Sequence, residues 1–259
     1  MNTFIVIPTY NEAQNLALLI KRIFEVHSEL NIIIVDDNSP DGTGKIAAEL
    51  AAHDPRINVI NNPQKAGLGK AYIQGFKEAL AMGAALIFEM DADFSHDPKY
   101  LPQFLKAAHK HDLVIGSRYI NGVRVEGWRF RRLLLSKLAN IFVSYIVIRP
   151  VWDFTAGYRC YRRSVLESID LDSIKSDGYA FQIEMTCATF KHGFKVGEIP
   201  ILFKERSIGY SKISKHVIWE AFWITFRCRA SVTEIIKHLS FLFKDYTEFV
   251  EKNALGRNE

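Results

Sequence analysis

The chain has 259 residues, 48% of them hydrophobic, with 33 Lys and Arg against 29 Asp and Glu. That content buries one substantial core and predicts a single α/β domain with an appendage, while a net charge of +4 is too small to argue for nucleic acid. Three cysteines without C-x-x-C spacing, Cys160, Cys187 and Cys228, argue against a disulfide framework and a zinc site and for a reducing compartment.

Phe4 to Pro8 reads as a buried strand ended by proline. It enters at once, without a basic n-region, so no signal peptide is expected. Asn11 is placed to cap a helix with apolar Leu16, Leu19, Ile20, Ile23 and Phe24. Ile32 to Val35 is a second continuous apolar run, consistent with a strand covered on both faces. It breaks into Asp36-Asp37-Asn38-Ser39-Pro40-Asp41-Gly42-Thr43, a dense turn signal before a helix over Ile46 to Ala52. Ile57 to Ile60 predicts a third strand. Gly67-Leu-Gly69 opens a helix through Ala71, Ile73, Phe76 and Leu80. A fourth apolar run, from Ala85, ends in Asp91-Ala92-Asp93-Phe94-Ser95. Pro98 suits the first turn of the next helix, and Leu113 to Ile115 makes a fifth strand before Gly116-Ser117-Arg118.

Alternating strands and helices at this spacing predict right-handed crossovers and a mostly parallel sheet, whose ligands sit beyond the carboxyl ends of the strands. The acids group at those ends: Glu12 after the first strand, Asp36 and Asp37 after the second, Asp91 and Asp93 after the fourth. In an extended segment Asp91 and Asp93 would share a face. Two such carboxylates repel unless a divalent cation or a neighbouring Lys or Arg lies between them; otherwise Asp91 caps a turn and Asp93 is solvated. Tyr72 stands where a dinucleotide fingerprint needs its third glycine, and no P-loop motif occurs, which disfavours a dehydrogenase or P-loop NTPase. The two glycines then read as a loop and helix start.

From Arg118 to Lys137 there are six basic residues (Arg118, Arg124, Arg129, Arg131, Arg132, Lys137) against one acid, Glu126, with Trp128 and Phe130 interleaved. Three readings compete: a solvated turn before a core helix, a nucleic-acid patch, or an interfacial element meeting phosphate head groups and lipid. The amphipathic stretch Val217 to Phe226 supports the third, although it fits an ordinary packed C-terminal helix as well. The longest nearly apolar run, Leu138 to Ile148, has 11 residues, against about 20 needed to span a bilayer. Asp153 can bind sugar hydroxyls, act as a base or cap a turn; His96 reads as a loop residue; Tyr119, Tyr158 and Tyr179 line the cleft or the core.

Eight motifs carry a family resemblance. They are Pro8-Thr-Tyr10-Asn-Glu12, Val35 to Thr43, Gly67-Leu-Gly69-x-Ala71-Tyr72 and Met90-Asp91-Ala92-Asp93-Phe94-Ser95-His96. Downstream come Gly116-Ser117-Arg118-Tyr119, Arg132-x-x-x-Ser136, Asp153-x-Thr155-x-Gly157-Tyr158-Arg159 and Glu205-Arg206-x-x-Gly209-x-Ser211-Lys212. With these the chain resembles the family 2, A-type glycosyltransferases, and among them the dolichyl-phosphate (polyprenyl-phosphate) mannose synthases, from about residue 3 to 215. The first and fourth motifs are widespread in family 2. Ser39-Pro-Asp-Gly-Thr43 and the Arg206 to Lys212 motif point to the lipid-phosphate branch.

The resemblance implies a nucleotide-diphospho-sugar transferase (GT-A) domain over residues 1–215, with an acceptor segment at about 118–150 and a helical appendage over 216–259. It implies an inverting transfer of mannose from GDP-mannose to a polyprenyl phosphate, with Mg²⁺ or Mn²⁺, at the cytoplasmic face of a membrane. Pro8, Tyr10, Glu12, Val35 and Asp37 correspond to a pocket for the donor's base and ribose. Asp91, Ala92 and Asp93 correspond to the donor and metal motif, with Asp93 the firmest ligand. Ser95 stands where some members place a ligating Gln. Arg118, Arg206 and Lys212 match binders of the diphosphate and acceptor phosphate, and Arg132 and Ser136 match acceptor-phosphate positions. Asn38 replaces a frequent Gly, which a left-handed turn tolerates. Some relatives carry C-terminal transmembrane helices and none is expected here, so membrane contact falls to the amphipathic segments or a membrane-anchoring partner subunit. A UDP-glucose or other donor and a polysaccharide acceptor remain alternatives. So does a non-catalytic membrane- or RNA-binding module, which would have no use for an acidic rim.

Overall fold

The computed structural model describes residues 1–205 and 215–228. The five apolar runs become strands β1 (Thr3–Thr9), β2 (Asn31–Asp36), β3 (Ile57–Asn61), β4 (Leu86–Glu89) and β5 (Leu113–Ser117). Between them lie helices α1 (Leu16–Val26), α2 (Thr43–His53), α3 (Leu68–Ala81) and α4 (Leu101–Ala107), the last entered through a short 3-10 turn at Pro98–Tyr100. The rest of the described chain forms β6 (Val125–Glu126), α5 (Phe130–Val147), β7 (Arg159–Arg162), α6 (Arg163–Ser168), α7 (Gly178–Lys191), β8 (Val196–Pro200), β9 (Phe203–Lys204) and α8 (Lys215–Arg227).

The described strands build a seven-stranded sheet in the order β3-β2-β1-β4-β7-β5-β8, and β6 pairs with β9 in a separate ribbon. All neighbours in the large sheet run parallel except β7, which is antiparallel to both β4 and β5. The continuous apolar runs follow from this. Alternate residues of β1 face opposite sides, so Phe4 and Val6 enter one core cluster while Ile5 and Ile7 enter the other. The first cluster is covered by α3, α5, α6 and α7, the second by α1, α2 and α4.

One sequence expectation changes, and one strand was not anticipated. Asn11 does not cap α1: it turns the chain in the left-handed region at φ 63°, and the helix begins after Asn15. The carbonyl of Glu12 accepts from the N–H groups of Asn15 and Leu16 instead. Strand β7 has no apolar run to announce it, because it carries a buried cation. Arg159 is 0% exposed and donates to the carbonyls of Ala156 and Phe154 at 2.7 Å, to that of Gln182 at 2.9 Å and to Thr186 Oγ1 at 2.8 Å. Buried cations survive only when paired and fully bonded in this way.

Glu89, at the end of β4, lies in the same network and accepts from Gln182 Nε2 at 2.7 Å. Burial, opposed by the attraction of Arg159, pushes its carboxyl from an ordinary 4.5 up to about 7. Between those values the folded chain holds a proton that the unfolded chain has released. Stability therefore falls as pH rises through that window and levels off above it. Glu89→Gln is expected to flatten this slope, read from urea midpoints below and above the window; an unchanged slope would place the linkage on another group.

Candidate active site

Because β2, β1 and β4 are neighbours, their carboxyl ends bring Glu12, Asp36, Asp37, Asp91 and Asp93 to one rim. Much of this acidity first serves the loops. Asp36 is buried and accepts from Thr9 Oγ1 at 2.8 Å, from the Ser39 N–H at 2.9 Å and from Ser39 Oγ at 2.6 Å. These bonds fold the turn in which Asn38 adopts the expected left-handed conformation, φ 57°. Asp37 accepts from Asn62 Nδ2 at 2.7 Å and from the N–H groups of Ala66 and Gly67 at 3.1 and 3.0 Å. Glu12 accepts from Asn15 Nδ2 at 2.8 Å. Pro8 pairs in register with Val35. The side chain of Val35 lies in the core with 0% exposure, which leaves only its backbone to meet a ligand. Tyr10 stays exposed, with Lys65 Nζ 3.6 Å from its ring centroid.

The Asp91 to Ser95 stretch departs from the extended geometry expected for it. Strand β4 ends at Glu89 and the chain turns at Ala92 and Asp93, with Phe94 in the left-handed region at φ 63°. The two carboxylates are therefore presented from a turn rather than by strand alternation. Ala92 packs into the core. Asp91 accepts from Tyr72 Oη at 2.9 Å, and Asp93 accepts from the Ser95 N–H at 3.0 Å. His96 holds the turn from beneath. It is 2% exposed, its Nδ1 accepts from the Asp91 N–H at 3.0 Å, and its ring stacks on Tyr158 at 5.1 Å. A loop histidine read from sequence is thus a buried support, and Tyr158 is a core residue.

Among the described residues no three His, Cys, Asp or Glu side chains converge as a metal cage. The donor set Asp91, Asp93 and Ser95 nevertheless fits a hard divalent cation, being all oxygen and leaving coordination positions for substrate phosphates. Ser95 Oγ is buried without a partner among the described residues, as a ligand position requires.

The Gly67-Leu-Gly69 stretch does more than start a helix. Gly69 N–H donates to Asp177 Oδ1 at 2.7 Å, and a Cβ on Gly69 would lie 2.6 Å from the Ser176 carbonyl oxygen. Only glycine lets the 176–178 segment close on the start of α3.

Arg118 directly follows β5. It is not an open phosphate hook: its guanidinium is 3% exposed and Asp153 is 0% exposed. Arg118 Nε donates to Asp153 Oδ2 at 2.7 Å, Nη2 to Oδ1 at 2.6 Å and the backbone N–H to Oδ2 at 3.0 Å. Arg118 Nη2 also reaches Thr155 Oγ1 at 2.7 Å. Burial alone would lower the Arg118 pKa; the carboxylate of Asp153 more than reverses this and holds it above its ordinary value. Asp153 is in turn fixed by Glu198, which accepts from its N–H at 3.0 Å and from that of Trp152 at 2.8 Å. Both carboxylate oxygens of Asp153, read from sequence as a sugar ligand, a base or a cap, accept from Arg118.

Ser136 accepts from Tyr119 Oη at 2.7 Å. Arg132 Nη1 donates to Glu205 Oε1 at 2.5 Å. Arg206 and Lys212 lie outside the described residues. From Arg132, Ser136 and Thr155 an apolar groove of about 310 Å³ runs between α5, α7 and α8, walled by Leu135, Leu138, Phe142, Ile183 and Phe222 with Tyr179 at its side. Thr155 in its wall stands two residues before Gly157, where a Cβ would lie 3.7 Å from Asp91 Oδ2. The outer faces of α5 and α8 expose Phe130, Leu134, Ile141, Tyr145, Trp219 and Trp223. No helix of the described residues is long and apolar enough to cross a membrane.

Comparison with known proteins agrees with this geometry. Residues 4–170 match the family model described as glycosyl transferase family 2. The chain is 48% identical over 221 residues to the polyprenol monophosphomannose synthase of Mycolicibacterium smegmatis, covering 85% of this chain and 83% of that protein. It is 43% identical over 221 residues to the undecaprenyl-phosphate mannosyltransferase of Micrococcus luteus, covering 85% and 91%. Among solved structures, glucosyl-3-phosphoglycerate synthase from Mycobacterium tuberculosis in complex with Mn²⁺, uridine-diphosphate and phosphoglyceric acid superposes with a TM-score of 0.64 at 18% identity. That match covers 86% of this chain and 78% of that one, and it supports the A-type α/β fold. An acidic rim at the carboxyl edge of a mostly parallel sheet, a matching family model and two relatives above 40% identity lead to one assignment: the chain is a glycosyltransferase and belongs to glycosyl transferase family 2.

Proposed function

We propose that the protein transfers mannose, with inversion, from GDP-mannose to a polyprenyl monophosphate at a membrane surface. The observation that carries this reading is the apolar groove, whose walls include Arg132, Ser136 and Thr155, with Thr155 two residues ahead of Gly157, which lies beside Asp91. Such a groove fits an acceptor with a hydrocarbon body and an anionic head. The names of the two relatives, a polyprenol monophosphomannose synthase and an undecaprenyl-phosphate mannosyltransferase, support the same substrate class.

The chemistry agrees. Asp91, Asp93 and Ser95 would hold Mg²⁺ or Mn²⁺, which as a Lewis acid stabilises the charge developing on the leaving diphosphate. A transferase acting on an alcohol needs a carboxylate to remove the hydroxyl proton, and Asp153 is already bound to Arg118. A phosphate monoester has a second pKa of about 6, so it arrives as a dianion and needs no strong base. Its demand is for cations that bring two anions together. Arg132 supplies one, and the matches of Arg206 and Lys212 to the family motif supply two more. The exposed aromatic and aliphatic residues of α5 and α8, flanked by Arg131 and Lys137, suit a peripheral contact with lipid.

The test is a donor panel of GDP-mannose, UDP-glucose and UDP-N-acetylglucosamine with one polyprenyl phosphate, with and without chelator. The expected result is metal-dependent, solvent-extractable lipid-linked mannose from GDP-mannose alone. Transfer from another donor, or to a free alcohol in preference to the phosphate, would overturn the reading.

A further inference from the structure

Two nitrogen donors at the mouth of the apolar groove have no partner among the described residues. They are the indole Nε1 of Trp128 and the Nε of Arg132, both withdrawn from solvent. The two side chains form one unit, with the Arg132 guanidinium 4.1 Å above the Trp128 ring centroid. The ring itself is braced edge-on by Phe203 at 5.5 Å. Leaving such donors unmet is costly, and a ligand with several acceptor oxygens removes that cost. Arg132 is also already in contact with a carboxylate, since its Nη1 donates to Glu205 Oε1 at 2.5 Å. Glu205 directly follows β9 and is partly exposed, so it can leave Arg132 without unpacking the core.

We infer that Trp128 and Arg132 form a phosphate clamp, and that Glu205 is the stand-in anion that occupies Arg132 while the groove is empty. A phosphate monoester with a hydrocarbon tail takes the Trp128 Nε1–H and the Arg132 Nε–H, displaces the Glu205 carboxylate, and lays its tail against Leu135, Leu138 and Phe142. This deepens the proposed function, on which its biological ligand rests, by naming an indole N–H as a recognition group and a carboxylate as an internal competitor. The two roles have opposite signs. Removing the indole N–H weakens phosphate binding; removing the Glu205 charge strengthens it.

The experiment is calorimetric titration of decyl phosphate, below its micelle concentration, into wild-type protein, Trp128→Phe and Glu205→Gln, with decanol as the uncharged control. Trp128→Phe keeps a ring under Arg132 and is expected to weaken decyl phosphate binding about tenfold, the value of a hydrogen bond to a charged group. Glu205→Gln is expected to tighten it several-fold, and decanol affinity should move in neither variant. Shifts of the same sign, no shift, or equal shifts for decanol would overturn the clamp. The readout needs no sugar donor. Opposite shifts together with an absence of mannosyl transfer would therefore uphold the clamp while rejecting the proposed function.

Discussion

Asp93→Ala is expected to lower kcat/KM about a thousandfold while leaving the fold nearly intact. A carboxylate that anchors a divalent cation against a leaving diphosphate supplies several kcal/mol of transition-state stabilisation, and about 4 kcal/mol corresponds to three powers of ten in rate. Asp93 accepts from the Ser95 N–H at 3.0 Å, a bond worth about 1 kcal/mol. The turn has an independent brace in His96, which accepts from the Asp91 N–H. Activity and stability should therefore separate. Turnover measured beside urea denaturation, with Mn²⁺ binding followed by electron paramagnetic resonance, decides the matter. Near-full turnover in Asp93→Ala would remove the metal role; a parallel collapse of stability would make the residue a structural support instead.

Asp153→Ala should do the reverse, and strike stability first. It leaves the Arg118 guanidinium, 3% exposed, without its counter-charge, and breaking one side of a buried ion pair costs about 3–5 kcal/mol. The companion variant is the double replacement Arg118→Met with Asp153→Ala. It removes both charges and should recover much of the loss, because the penalty comes from the stranded cation and not from the missing contact. A double variant no more stable than Asp153→Ala would refute that cause. Were Asp153 a catalytic base, Asp153→Asn would abolish transfer at unchanged stability. The bidentate geometry predicts that stability and activity fall together.

The parts of this molecule that could be read in the sequence are those whose physics is local. Apolar runs such as Ile32 to Val35 declare buried parallel strands, and the family motifs mark the rim because turn chemistry repeats in sequence. Arg159 shows where such reading stops. Its strand looks polar, and only the partners brought by α7 and the loop before β7, Gln182, Thr186, Phe154 and Ala156, make burial possible. The same holds for Arg118 and Asp153, 35 residues apart. Each was legible as a charge near a phosphate or sugar, and neither showed that its first partner is the other. His96 stood at the end of a family motif, but nothing in its spacing announced a hydrogen bond to the backbone of Asp91 and a stack on Tyr158. Trp128 and Arg132 were visible as a basic and aromatic cluster, but the orphaned donors and the groove behind them arise only when α5, α7 and α8 are assembled.

The reversed strand also bears on how the chain is made. β4 is complete at Glu89, yet its neighbour across the sheet is β7, which begins at Arg159. During synthesis the β3-β2-β1-β4 half can form early, while the outer edge of β4 waits for about seventy further residues, or several seconds at a ribosomal rate of about 5–20 residues per second. β5 emerges in that interval with no sheet to join, because its own partners, β7 and β8, both come later. An unpaired apolar edge held open for that long invites association with other chains. The arrival of residues 159–162 is thus the step that closes the sheet, and nascent chains stalled before it are the forms expected to recruit chaperones.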